Sequence, residues 1–544
     1  MNPRHSIPRL ISHILFVVFV LLGSLSSVAS AQIDKPYLII ESGMHTATIT
    51  RASMDAQERY LATSSEDKTV RVWELSTGKL LKILRPPIGT GNDGWLYGVA
   101  ISPDGKTVAC GGLTRMGGRF SNIFLFDRES GKLIKRIPDL SSGISFLKYS
   151  KDGRFLVASI FGNNGIRVYR TSDYSLAAED KDYGNHTSTT HFDKSGRLVT
   201  ASYDGFIRLY DSQFKLIMKK RGPEGNLPYG INFSPDGTRV AVSYRDSLKI
   251  SILSGTDLSL LYSQSMPGDS AHCVCWSEDG RFLYASNSGR RGPYIMRKWG
   301  EEGRGKFSNI DTLKIDPGPG MVKTHMIPLR TGGIVFTTRK PSFGVLDKDD
   351  NAVYYRDADI TFFGTSPEEF LISHDGSTIR FNFAERTKIP AYFSLRDRQL
   401  GQISRDASES VRKGLFPPIT FTDGLDITDW QISYEPKLNG RILKLTETEL
   451  SFCRAISPDK NHFVIGTSSF LRLYDREGNE KWRVPVSLTR AVNISRNGRI
   501  IVAGFDNGTI GWYRIDNGKE LLTLFPHNDR KRWVLWTPSG YYDA

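Results

Sequence analysis

A four-residue phrase, Ser-x-Asp-Gly or a close variant, recurs along this chain. It stands at Ser102-Pro-Asp-Gly105, Ser150-Lys-Asp-Gly153, Asp193-Lys-Ser-Gly196, Ser234-Pro-Asp-Gly237 and Ser277-Glu-Asp-Gly280, with starts 48, 43, 41 and 43 residues apart. It returns at Ser457-Pro-Asp-Lys460, Ser495-Arg-Asn-Gly498 and Thr537-Pro-Ser-Gly540, 38 and 42 residues apart. The 180 residues between Ser277 and Ser457 hold four periods of 45, with Ser366-Pro367 midway. A fixed period of this length means a repeat architecture. Between the turns, runs such as Thr69-Val-Arg-Val-Trp73, Gly165-Ile-Arg-Val-Tyr169, Phe206-Ile-Arg-Leu-Tyr210 and Leu471-Arg-Leu-Tyr474 alternate apolar with basic residues. That alternation, rich in β-branched and aromatic types, specifies short strands. About four such strands fit each period and cannot bury both their faces alone. They must therefore stack as blades around an axis.

The composition fits. Hydrophobic residues are 39% of 544, enough for a large core, and 51 glycines with 25 prolines stay below the level of a low-complexity chain. Four cysteines exclude a disulfide-dense scaffold. Cys273 and Cys275 are two apart on an expected strand, side by side. A bridge there would be strained and no zinc-like partner pair exists, so both read as small buried apolar residues.

Residues 1–31 follow the secretory pattern. Arg4 and Arg9 precede an apolar run over 14–22, and Ala29-Ser30-Ala31 supplies a small-residue cleavage site. Nine apolar residues are too few to span a bilayer as a helix. The expectation is a signal peptide over 1–31 and a protein that is periplasmic or secreted.

The segment Glu66-Asp-Lys-Thr-Val-Arg-Val-Trp-Glu74 resembles a WD40 repeat. The resemblance implies a structural hydrogen-bond tetrad on His45, Thr63, Asp67 and Trp73, with Asp67 22 residues after His45, 4 after Thr63 and 6 before Trp73. Thr200, Asp204 and Tyr210 match a degenerate tetrad, with Tyr in the Trp place. The His45–Asp67 pair is read as scaffolding rather than a catalytic dyad. Segments of the last third, among them Asp426-Ile-Thr-Asp-Trp430, Trp482-Arg-Val-Pro485 and Arg532-Trp-Val-Leu-Trp-Thr-Pro-Ser-Gly540, resemble bacterial WD40-repeat proteins. Members of that group often continue into a caspase-like peptidase domain, whose His and Cys would lie beyond Ala544.

The expected fold is all-β: a seven-bladed WD40-type propeller over 32–357, then a second, partial or smaller propeller over 358–544. The second is expected to hold about four blades, with a further one opening at Trp533. Residues 36–41 suit a strand lent to close a ring.

Candidate contact surfaces are basic. Lys and Arg number 72 against 58 Asp and Glu, a formal charge of +14. Arg290 and Arg291 form one cluster, and Arg530, Lys531 and Arg532 another. They would draw an acidic protein or an anionic membrane surface. Export and the absence of a recognition motif disfavour nucleic acid. The Gly-rich loops at 111–118 and 162–165 lack the Gly-Lys-Ser/Thr ending of a phosphate loop. Asp347-Lys-Asp-Asp350 lacks the spacing of a calcium loop. No cofactor, metal or catalytic residue is expected. The functional expectation is a non-catalytic scaffold for protein–protein interaction in the cell envelope or outside the cell. The alternative is the propeller module of an enzyme, through a peptidase domain missing from this chain or a quinone cofactor held in the channel.

Overall fold

In the computed structural model the described residues are 41, 43–89, 91–268, 270–288, 295–310, 323–358, 369–383, 389–402, 414–446, 449–527 and 529–544. The leader, residues 36–40, Arg290, Arg291 and Ser366-Pro367 lie outside them.

The recurring phrase is a turn that satisfies its own backbone. At Ser150 the hydroxyl donates to Asp152 Oδ1 at 2.6 Å and accepts from the Phe155 N–H at 3.0 Å. Asp152 Oδ1 also accepts from the Arg154 N–H at 3.0 Å, and Gly153 turns the chain at φ 74°. Ser102 and Asp104, Ser234 and Asp236, and Ser277 and Asp279 repeat the Ser–Asp bond. Glycine takes the left-handed position because a Cβ is disfavoured there. Ser373-His-Asp-Gly376 makes the same turn, with Ser373 Oγ on Asp375 at 2.7 Å and Gly376 at φ 78°. Among the described residues of the long gap, the repeat's turn is seated at Ser373.

Each turn joins the first and second strands of an antiparallel sheet, four-stranded throughout residues 49–356. In blade 1 these strands are Ile49–Met54, Tyr60–Ser65, Val70–Glu74 and Lys79–Leu84, paired in sequence order. Six further four-stranded sheets span 96–140, 144–180, 187–221, 228–265, 270–310 and 323–356. The first strands pack around an axis, each against the next, and Lys323–Pro328 returns to Ile49–Met54. This is a closed seven-bladed propeller.

Closure rests on packing between complete blades. Met44, Ala52, Leu61 and Trp73 of blade 1 form one core with Leu329, Val335, Phe343 and Val345 of blade 7. The Trp73 and Phe343 rings lie 4.9 Å apart, and Tyr354 donates to the Leu75 carbonyl at 2.6 Å. Both blades own four strands among the described residues, and residues 36–40 lie outside them. Burying each large side chain at such a junction is worth about 1.5–3 kcal/mol. The fourth strands face solvent and alternate accordingly, as Lys79–Leu84 does.

A second, smaller propeller unit follows, with four sheets among the described residues. Sheet 427–442 packs on 451–485, that sheet on 489–543, and the last on 371–416. Asn493 Nδ2 ties the last two by donating to the Phe370 and Phe416 carbonyls at 2.9 and 3.0 Å. Trp533–Trp536 does not open a further blade. It pairs antiparallel with Glu520–Pro526 and extends the final sheet to six strands. The reason is the turn at 527–532: His527 N–H bonds the Arg532 carbonyl at 2.9 Å, and Asp529 Oδ1 accepts from the Lys531 and Arg532 N–H groups. The chain therefore folds back on itself, and Trp533 packs 4.9 Å from Phe393.

Candidate functional site

His45 lies in the loop entering blade 1, Thr63 on the second strand, Asp67 in the following turn and Trp73 on the third strand. The fold brings them together. His45 Nδ1 lies 2.8 Å from Asp67 Oδ2 and Nε2 lies 2.8 Å from Thr63 Oγ1, which accepts from Trp73 Nε1 at 2.9 Å. Asp67 also accepts from the Thr46 and Thr69 N–H groups and the Thr69 hydroxyl. Burial opposes ionisation of Asp67, but His45, Arg71 and Thr69 outweigh it and hold the carboxyl well below its ordinary value. His45 and Thr63 are 0% exposed and the Asp67 side chain 5%. The network satisfies buried polar groups and fixes the blade.

Thr200, Asp204 and Tyr210 do not form a copy of it. Tyr183, four residues before Thr187 as His45 is before Ile49, supplies the hydroxyl that joins Thr200 to Tyr210. It lies 2.8 Å from Thr200 Oγ1 and 2.9 Å from the Tyr210 hydroxyl, which donates to Asp180 at 2.8 Å. Asp204 instead takes the Gly184 N–H and the fully buried Arg208 guanidinium, whose Nη2 lies 2.7 Å away. In the sheet at 451–485, Arg472 and Glu449 are paired at 2.6 Å, and Thr467 donates to the same carboxylate. A sequence signal existed for the arginines: Arg71, Arg208 and Arg472 each stand two residues before the strand's aromatic. Their acids, Glu41, Asp204 and Glu449, occupy no common position.

The basic clusters differ in what can be described. Lys531 and Arg532 are exposed and Arg530 partly so, while Arg532 is engaged by Asp529 at 2.5 Å and by His527. Arg290 and Arg291 lie outside the described residues. Cys110, Cys273, Cys275 and Cys453 are buried, and burial pushes the thiols of Cys110, Cys275 and Cys453 upward. Asp347 caps its own turn by accepting from the Asp349 and Asn351 N–H groups. Among the described residues no group of three His, Cys, Asp or Glu side chains is placed to hold a metal ion.

The two faces of the first propeller differ. The entry face carries His45, Glu66 and the loops leading into the first strands. There Arg490 and Asp506 of the second unit act on Glu66, Arg490 and Asp506 act on each other beside Arg339, and Tyr434 neighbours Arg245. An arc of aromatic rings runs beneath, from Tyr97 through Phe161, His186, Tyr203 and Tyr229 to His272, with centroids 4.0–6.3 Å apart. The opposite face carries the Ser-x-Asp-Gly turns. On that side opens a cavity of 450 Å³ along the axis, with Lys151, Lys194, Glu278 and Arg330 at its rim.

Comparison with known proteins finds one stretch of the chain similar to a repeat family. The family model "WD domain, G-beta repeat" matches residues 40–74. The chain is 23% identical over 258 residues to a guanine nucleotide-binding protein subunit beta of Nicotiana tabacum, covering 45% of this chain and 67% of that one. It is 42% identical over 57 residues to nuclear distribution protein PAC1 of Mycosarcoma maydis, covering 10% and 12%. Autophagy-related protein 16 of Arabidopsis thaliana is 21% identical over 199 residues, 35% of each chain.

Proposed function

We propose that this chain is a non-catalytic scaffold that docks a protein partner on the turn-bearing face of its first propeller, and that it works in the cell envelope or outside the cell. The observation that carries the reading is the two-faced ring. Seven blades locked by inter-blade packing present their turns on a rigid frame, while the second unit's contacts lie on the opposite face. A frame of this kind holds many loops in fixed register, which favours recognition. The tobacco relative is by name a subunit of a larger protein assembly, and this supports an assembling role here. The basic leader, apolar run and Ala29-Ser30-Ala31 support export.

The test is affinity isolation of the full chain from its native host, beside a variant carrying Lys151→Glu and Lys194→Glu. Both lysines are exposed at the rim. The expected result is a stoichiometric partner with the native chain that is lost with the variant, at unchanged melting. Retention of the partner by the variant would sink the assignment of the face. A mature N-terminus at Gln32 is expected, and a retained Met1 would overturn export.

A further inference from the structure

The axial cavity differs in charge between its rim and its depth. At the rim, Lys151, Lys194 and Arg330 stand with Glu58 and Glu278, and Glu58 holds Arg330 through its N–H at 2.7 Å. Asp55 is 2% exposed and paired with Arg59 at 3.0 Å. Deeper in are Arg51 and Lys148, and neither has a carboxylate within ion-pair distance among the described residues. Arg51 Nη1 donates to the Thr50 carbonyl at 2.8 Å, and its Nε is buried without a partner. The Lys148 ammonium has no hydrogen-bond partner among the described residues. Desolvation first, then the charge of Lys151, pushes it down to about 8 against the opposing pull of Glu278. Two partly buried cations without an ion-pair partner favour an anion beside them.

Three further polar side chains of the lining can donate. Thr190 is 2% exposed and its hydroxyl is without a partner. His191 Nδ1 accepts from the Phe233 N–H at 3.2 Å and His325 Nδ1 from the Ala52 N–H at 3.4 Å. Accepting at Nδ1 leaves the proton of each neutral ring on Nε2. Burial, with the neighbouring cations, keeps both rings neutral by holding their pKa well below 6.5. Apolar walls complete the site: Phe146 and Tyr229 flank the Arg51 guanidinium with centroids at 5.6 and 5.8 Å, and Ile231 and Met326 line the same space. The volume, 450 Å³, is that of a small-molecule pocket.

We propose that the axial cavity binds a small organic carboxylate, its charged head between Arg51 and Lys148 and within reach of Thr190, and its apolar body against Phe146 and Tyr229. The inference rests on the cavity alone and is independent of the scaffold reading.

The experiment is calorimetric titration of the full chain with sodium benzoate, with inorganic phosphate and chloride at matched ionic strength as comparisons. Benzoate is expected to bind one to one and raise the melting temperature, and chloride to do neither. Lys148→Met removes a partly exposed charge that makes no ion pair among the described residues, so the variant is expected to fold. Its benzoate affinity is expected to fall by about tenfold to a hundredfold, the value of a charge-assisted bond. Thr190→Val serves as a second variant and is expected to weaken binding in the same direction. Lys194→Met, at the exposed rim, is expected to leave binding within about twofold, since a screened surface charge contributes little. Absence of benzoate binding, undiminished binding in both Lys148→Met and Thr190→Val, or phosphate binding without benzoate binding would each overturn the proposal.

Discussion

The Tyr183 hydroxyl lies 2.8 Å from Thr200 Oγ1, in the place that the His45 imidazole holds against Thr63 in blade 1. A phenol thus replaces an imidazole, and the acid that receives the network shifts from the turn aspartate to Asp180, through Tyr210. Tyr183→Phe keeps the ring on the Arg208 guanidinium, 3.8 Å from its centroid, and removes only the hydroxyl. Thr200 and Tyr210 are then left short of a partner in a buried site. The expected cost is about 1–3 kcal/mol, read as a lower urea midpoint at unchanged slope. A change within error would show that water replaces the missing oxygen.

Asp67 gives blade 1 an acid sensitivity of defined sign. Burial raises its pKa, but His45, Arg71 and Thr69 lower it further, so in the folded chain it lies below the ordinary 3.8. Around pH 4 the unfolded chain therefore binds more protons than the folded one. The stabilisation is full above 3.8 and is lost as pH falls through the folded value. Asp67→Asn lacks this contribution at every pH. Its stability deficit, measured by chemical denaturation, is expected to be largest near neutrality and to narrow below pH 4. A deficit constant from pH 7 to pH 2 would exclude the linkage.

The sequence carried the period, the strands and the blade 1 network, because turn chemistry and alternation are local properties. Ser373-His-Asp-Gly376 was equally legible, since it obeys the same rule as Ser150-Lys-Asp-Gly153. What local pattern does not carry is which side chain answers a buried group from another strand or loop. Tyr183 reaches Thr200 across 17 residues from the position His45 holds in blade 1, with a different side chain there, and Glu449 reaches Arg472 across 23. The hairpin at 533–543 was hidden for the same reason: Trp533-Val-Leu-Trp536 has the alternation of any blade strand, and only the closed turn at 527–532 decides its partner.

Glu449 and Arg472 are an ion pair with side chains 0% and 2% exposed. Burial opposes the charge on Glu449, while Arg472 and Thr467 lower its pKa below the ordinary 4.5. Arg472 also pairs with Glu480, so it is removal of the arginine that strands a charge, Glu449, in the interior. Arg472→Ala is expected to destabilise by about 3–5 kcal/mol. The double variant Glu449→Leu with Arg472→Met is expected to recover a large part of this, because neither buried charge remains to be desolvated and Glu480 is 31% exposed. Additive losses in the double variant would show that geometry, not charge, is what the pair supplies.

Gly153 and Lys460 occupy the same place in their turns, at φ 74° and 61°, with opposite consequences for substitution. A Cβ on Gly153 would meet only Pro103, at 3.6 Å, so space is not the obstacle. The backbone is: the left-handed region costs an L-residue about 1–2 kcal/mol. Gly153→Ala is therefore expected to lower stability by about that amount. Lys460 already bears this strain, and Lys460→Gly relieves it while adding about 0.5–1 kcal/mol of unfolded-state entropy. The two terms oppose, and the expected net effect is a gain of up to about 1 kcal/mol. Equal and opposite signs in paired thermal melts would identify the turn conformation as the cause. A loss in Lys460→Gly would mean that the lysine side chain contributes a contact outweighing its strain.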